Sequence, residues 1–201
     1  MNFTAVRRFA LLAIASLGLA ACGINSVPTA EENAKAKWAD VEAQFQRRAN
    51  LIPNLAEVAQ AAAASEGNIL RDVTEARARA TSVNVDADDL GDAEKMAEFQ
   101  AAQAELGRGI GRLLASFEAY PQIQSNQGFL ALQSQLEGTE NRIAVAIRDY
   151  NEAVRQYNTT IRTFPDTIGA NIIYGADPMV PYEAVTDGAE VAPELDLTPD
   201  N

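Results

Sequence analysis

The chain contains no histidine and a single cysteine, Cys22, among its 201 residues. Zinc sites built on Cys and His, haem ligation, Cys/His nucleophile pairs and Ser/His/Asp triads therefore lack their parts. Carboxylate-only chemistry stays open. Basic residues are also scarce: 16 Lys and Arg stand against 28 Asp and Glu, a formal net charge of -12. Neutralising phosphates takes clustered cations, so a nucleic-acid partner is excluded. After Arg162 there is no cation at all, while Asp166, Asp177, Glu183, Asp187, Glu190, Glu194, Asp196 and Asp200 follow, and the C-terminus reads as an acidic tail.

One hydrophobic run is notable, and it is too short to span a bilayer, which wants about 20 residues. It extends from Phe9 to Leu19 behind Arg7 and Arg8, and it is followed by Leu19-Ala20-Ala21-Cys22. A positive start, an apolar middle and small residues before a Cys form a signal peptide, residues 1–21, with the lipobox of a bacterial lipoprotein. Small residues fit a peptidase cleft, and the Cys22 thiol is the nucleophile that takes the lipid. Acylated Cys22 would be the membrane anchor, and no free thiol would remain in an oxidising compartment. Gly23 stands where an Asp would resemble an inner-membrane retention signal, which points toward the outer membrane of the cell envelope. Residues 22–29 then read as a lipidated tether.

What is abundant is helical periodicity. Phe129, Leu136, Ile143, Tyr150, Tyr157 and Phe164 fall seven residues apart, with Ile147, Val154 and Ile161 four residues after the later members. A seam that long needs partner helices to cover it. Earlier, Trp38, Val41, Phe45, Ile52, Leu55, Ala59 and Ala62 form a second seam with a gap at Arg48. Pro53 lies inside it and cannot donate to the carbonyl of Ala49, yet the seam keeps phase, so the spacing predicts one continuous helix kinked at Pro53. That element should start behind a Thr29 cap with Glu32 as its capping-box partner and end near Gly67. Ile69, Val73, Ala76 and Ala80 resume the spacing. Residues 81–92, rich in Asp, Asn and Gly, read as a solvated loop, because Asp86, Asp88 and Asp89 lack the Gly and Glu that a calcium loop sets at fixed distances.

The third long helix carries Met96, Phe99, Gln103, Leu106, Ile110, Leu113, Phe117 and Tyr120. Its Gly107, Gly109 and Gly111 lack the preceding strand of a phosphate loop; Gly107 and Gly111 are expected to admit a close neighbouring helix. Ser125 or Asn126 caps the fourth helix, which should run to Phe164-Pro165. The fold class expected is thus all-α, an antiparallel up-and-down bundle of about four long helices over residues 30–165. An irregular segment, 166–183, lies on it, and a disordered acidic tail, 184–201, follows.

Several phrases in order then resemble the LemA family of bacterial membrane-associated proteins. They are KWADVEAQFQRRANLIPNLAEV from Lys37 to Val58, VTEARARA from Val73 to Ala80, GIGRLLASFEAYP from Gly109 to Pro121, and FLALQSQLEGTENRIAVAIRDYNEAVRQYNTTIRTFP from Phe129 to Pro165. A weaker match closes the series from Gly175 to Glu183. The resemblance implies an extracytoplasmic helical bundle tied to a membrane by its N-terminus, and it supplies neither a reaction nor a ligand. The lipobox departs from the transmembrane anchor that many members carry.

Polar residues interrupt the seams. Gln133 and Glu140 replace apolar residues on the fourth helix, and with Arg142 and with Glu75 and Arg77 of the VTEAR segment they are candidates for a buried polar layer. Such a layer could be an internal site or a register device in which Arg47 or Arg48 pairs with Glu140. No metal is expected there, since the di-iron pattern requires His. Arg148, Arg155 and Arg162 form a line read as a solvated face beside Asp149 and Glu152. Tyr150-Asn151 and Tyr157-Asn158 place rings in the core and hydroxyls at its rim. The function expected is that of a non-enzymatic, lipid-anchored interaction or scaffolding bundle without a cofactor, whose partners are the membrane and another envelope protein. The alternative is a binding protein for a small apolar or lipidic ligand held between the helices.

Overall fold

A computed structural model describes residues 25–62, 67–120, 123 and 125–183. Four long helices build it: α1 (Ser26–Ala62), α2 (Gly67–Ser82), α3 (Ala93–Ser116) and α4 (Gln127–Thr160). A single helical turn, α5 (Asp166–Gly169), continues into a wider π-type turn over Ala170–Tyr174. Helices α1 and α4 form the main pair, α3 packs on α2, and α2 packs on α1. The pairing of α1 with α4 is antiparallel: Ser26 meets Asp166, Trp38 meets Tyr150 and Arg48 meets Glu140, so one helix ascends as the other descends. The all-α bundle expected from the periodicity is present.

Helix α1 is 37 residues long and runs through Pro53 without interruption; at 1.5 Å per residue it measures about 55 Å. The proline leaves the carbonyl of Ala49 without its usual donor. Arg77 of α2 supplies one, its Nε donating to the Ala49 oxygen at 2.8 Å. The helix starts earlier than expected: residues 26–29, assigned to the tether, are its first turn, and Thr29 bonds back to the Asn25 carbonyl instead of capping. Helix α4 ends earlier, with Ile161 as its C-cap. Gly67 opens α2 where it was expected to close the first element. The side chains of Asp92 and Asn126 cap α3 and α4, each accepting two backbone N–H bonds from the first turn. The signal peptide, Cys22 and the tail from residue 184 lie outside the described residues.

Two apolar clusters fill the bundle. One gathers Trp38, Phe45, Met96, Phe99, Tyr150 and Tyr157 toward the start of α1; the other gathers Ile52, Leu55, Leu106, Leu113, Phe117 and Phe129 toward its end. The loop after α2 is not merely solvated, since Val85 and Leu90 are fully buried in the first cluster. The Trp38 indole donates to the Val85 carbonyl at 2.7 Å, which fixes the loop to the core. Gly109, rather than Gly111, is where α3 approaches a neighbour: a methyl group there would meet the Val73 side chain at 3.4 Å, whereas Gly111 faces open space.

Candidate functional site: an arginine waist and a clamped strap

Between the two apolar clusters the bundle has a polar waist. Arg48 is 5% exposed, although Glu140, its ionic partner at 3.3 Å, is half exposed. The guanidinium also donates to the backbone oxygen of Gln103 at 3.0 Å and to its side-chain Oε1 at 2.8 Å, and it lies 4.9 Å from the Phe45 ring centre. Gln103 in turn donates to the Ala80 carbonyl at 3.0 Å, so one buried arginine joins α1, α3, α4 and the end of α2. Gly107 leaves the room it needs, as a methyl group there would stand 3.7 Å from the guanidinium. A charge removed from water this far persists only because several acceptors converge on it. The waist therefore ties the helices together through one buried, ion-paired arginine.

This corrects most of the polar layer expected from the sequence. Glu75 and Arg142 are exposed, Arg77 is half-buried and serves the Ala49 carbonyl, and Gln133 bonds Glu137 one turn away. Of the five candidates, only Glu140 touches the waist, and it does so from the rim. The buried polar residues among those described are Arg48, Gln100, Gln103 and Thr139. Thr139 returns its hydroxyl to the Gln135 carbonyl. Arg148 and Arg155 pair with Asp149 and Glu152 on an exposed face, as the charge pattern implied.

The Tyr-Asn doublets do more than fill the core. After Gly175, which takes a left-handed conformation with φ 57°, residues 176–183 lie extended as a strap along α4. Asn158 donates to the Met179 carbonyl at 2.8 Å and accepts from the Met179 N–H at 2.9 Å; Asn151 makes the same two bonds to Tyr182, both at 2.8 Å. Each side-chain amide thus pairs with one residue's backbone as a neighbouring strand would. The spacings agree, because seven residues of helix and three of extended chain both advance about 10 Å. Tyr150 and Tyr157 donate to the carbonyls of Val180 and Asp177, and the Leu90 carbonyl accepts from the Val180 N–H. With its amide oriented to suit, Gln100 of α3 extends the series to the backbone of Glu183.

Tyr182 at the strap's end is buried, stacks on Phe45 at 5.8 Å between ring centres, and has its hydroxyl pKa pushed up to about 12 by burial. Burial also raises Tyr150 and Tyr157. Phenols held protonated are hydrogen-bond donors, and both of these donate to the strap. Sequence reasoning laid an irregular segment on the bundle but missed the clamp that holds it, and the seven-residue repeat of Tyr-Asn was the visible signal.

Near the far end of the bundle, Gly111, Leu114, Phe117, Phe129, Leu130 and Gln133 border an open cleft of about 610 Å³ between α3 and α4. Among the described residues, no group of three or more His, Cys, Asp and Glu side chains is placed to hold a metal, and no helix is long and apolar enough to cross a membrane.

Comparison with known proteins finds relatives of this chain. Two magnetosome proteins of Paramagnetospirillum magneticum, MamQ 1 and MamQ 2, are each 29% identical over 145 residues, covering 64% of this chain and 53% of theirs. The magnetosome protein MamQ of Magnetospirillum gryphiswaldense is 28% identical over 143 residues, covering 63% and 53%. The chain thus matches about half the length of these relatives. The LemA family profile matches residues 37–196, from the first turns of α1 past the strap and into the acidic tail, and by that match the chain belongs to the LemA family.

Proposed function

We propose that this protein is a non-enzymatic, lipid-anchored helical bundle of the bacterial cell envelope that acts as a scaffold for another envelope protein at the membrane. The observation that carries this reading is the start of α1. The helix begins at Ser26, four residues after the lipobox Cys22, and Val27 is already fully buried. Extended chain covers at most about 3.6 Å per residue, so the rigid bundle starts within roughly 15 Å of a lipid carried on Cys22. A body held that close and about 55 Å long suits a projecting platform better than a freely diffusing carrier. The side-chain amides of Asn151 and Asn158 on α4 are engaged by the chain's own strap, which fits a structural role for them. The magnetosome relatives, named for a membranous organelle, support a membrane setting.

Cys22→Ser should move the protein from the membrane fraction to the soluble envelope fraction; unchanged fractionation refutes the anchor. Crosslinking in whole cells should then recover a defined envelope protein with the wild-type chain. A second reading, a carrier of a small apolar or lipidic ligand, is favoured by the cleft beside Phe117 and Phe129. Native mass spectrometry of the protein as isolated separates the two, since the carrier retains a small molecule and the scaffold does not.

A further inference from the structure

Seven large hydrophobic residues are exposed among those described, and five of them lie within eleven residues: Phe164, Ile168, Ile172, Ile173 and Tyr174. Phe164 is 80% exposed and Ile172 79%, values typical of polar loops, whereas these are among the most costly side chains to leave in water. They surround α5 and the turn that follows it. From Thr163 to Ala176 the only charged residue is Asp166, which is itself occupied by the Ser26 hydroxyl. The turn is also well fixed: Gly169 and Ala170 are buried, and the Ala176 N–H closes on the Ala170 carbonyl at 3.0 Å. The apolar residues are therefore displayed on an ordered knuckle.

The position of that knuckle decides what it meets. The Ser26–Asp166 bond and the packing of α5 on α1 place it at the end of the bundle where α1 begins. Residues 1–25 precede that helix in the sequence, and they hold the apolar run and Cys22. We infer that the Phe164–Tyr174 knuckle is a second membrane contact, inserting Phe164, Ile168, Ile172 and Ile173 into the headgroup and upper acyl region of the bilayer to which Cys22 is tied. This rests on the anchor reading above. One acyl-bearing terminus fixes distance but leaves the bundle free to swivel; a second, apolar contact fixes its tilt. The protein's net charge of -12 opposes contact with anionic lipid, so the contact is apolar and works through a segment whose one charge is Asp166, while Glu31, Lys35, Asp88 and Asp89 border Tyr174 at its edge.

The test uses the full, acylated chain with Ile172→Trp, reconstituted into phosphatidylethanolamine/phosphatidylglycerol vesicles whose acyl chains are brominated. Trp38, 1% exposed, supplies a constant background. Leu130→Trp, at an exposed apolar position near the opposite end, is the control. Emission is read only from protein that floats with the vesicles. The expected result is that the indole introduced by Ile172→Trp shifts to the blue and loses most of its emission to bromine quenching, while the one introduced by Leu130→Trp keeps its own. Equal, weak quenching of both variants in floating protein overturns the inference and leaves the anchor standing. A blue shift without quenching overturns it too, assigning the knuckle to a protein contact. Protein that does not float overturns both readings.

Discussion

The bond from Arg77 to Ala49 makes a quantitative claim about Pro53. In α1 the Ala49 carbonyl is buried, with its residue 2% exposed, and its donor would have been the N–H of residue 53, which proline lacks. Arg77→Met keeps most of the side chain's packing but removes the donor. A buried carbonyl left without a partner costs about 1–3 kcal/mol, which for a chain of this size lowers Tm by roughly 3–10 °C. Pro53→Ala alone should stabilise, because an interior proline costs a helix about 3 kcal/mol and the added freedom of the unfolded chain returns only about 1. In the Pro53→Ala background the restored N–H holds the carbonyl, so Arg77→Met should cost less than about 0.5 kcal/mol. The coupling in a double-mutant cycle should thus be about 1 kcal/mol or more. Urea unfolding followed by Trp38 fluorescence, with circular dichroism as a second probe, measures all four corners. Additivity within about 0.5 kcal/mol would refute the substitution of a guanidinium for a backbone amide.

Three further outcomes follow from the waist and the strap. Asn158→Ala loses two hydrogen bonds to Met179, a cost of about 2 kcal/mol, and hydrogen exchange should speed up at the Met179 amide, while helix α3 keeps its protection. Arg48→Ala should destabilise by about 3–5 kcal/mol, since it empties the buried centre of a network, whereas Glu140→Gln at the half-exposed rim should cost less than about 1 kcal/mol; equal effects in urea titrations would contradict the asymmetry. Alkaline pH should loosen the strap. Tyr182 has a folded pKa of about 12 against about 10 in the unfolded chain, so its stabilisation is complete below pH 10 and is lost as pH rises toward 12, at about 1.4 kcal/mol per pH unit. Tyr182→Phe should flatten that slope by the same amount, and an unchanged slope would remove Tyr182 from the account.

What the sequence disclosed depended on period. The helices were legible because apolar residues recur with the helical repeat, and the phase kept across Pro53 was the correct sign of a continuous α1. Arg48 could be seen as a gap in a seam and Glu140 as another, and the two meet. Glu75 and Arg142 misled because polarity in a family-like motif says nothing about which face a residue occupies. Val85 and Leu90 were hidden by the Asp and Asn around them, since two buried positions in a twelve-residue loop have no period to reveal them. The clamp on the strap was the deepest loss. The strap's backbone is satisfied by side-chain amides from a helix, and the matching of seven helical residues to three extended ones becomes visible only when both elements are placed side by side.

That matching also sets where the acidic tail departs, and this bears on the knuckle. The strap runs back along α4 from Asp177, beside Tyr157, to Glu183, beyond the level of Asn151. From Ile161 at the knuckle end to Asn151 the helix advances about 15 Å, roughly twice the Debye length at physiological salt. The strap therefore reaches Glu183 on the flank of the bundle near the waist and not at the end where α1 begins, and five acids, from Asp187 to Asp200, follow it in the sequence. If the strap were released, the same acids would hang from Gly175, next to Ile172 and Ile173, and their charge would oppose an anionic headgroup layer at the point of apolar contact. Asn151, Asn158 and the two buried tyrosines thus hold the strap's last described residue, Glu183, away from the apolar end of the bundle. Weakening the clamp with Asn151→Ala and Asn158→Ala together should reduce the bromine quenching of the Ile172→Trp probe in the anchored protein although no other knuckle residue has changed, and undiminished quenching would show that the strap and the knuckle act independently.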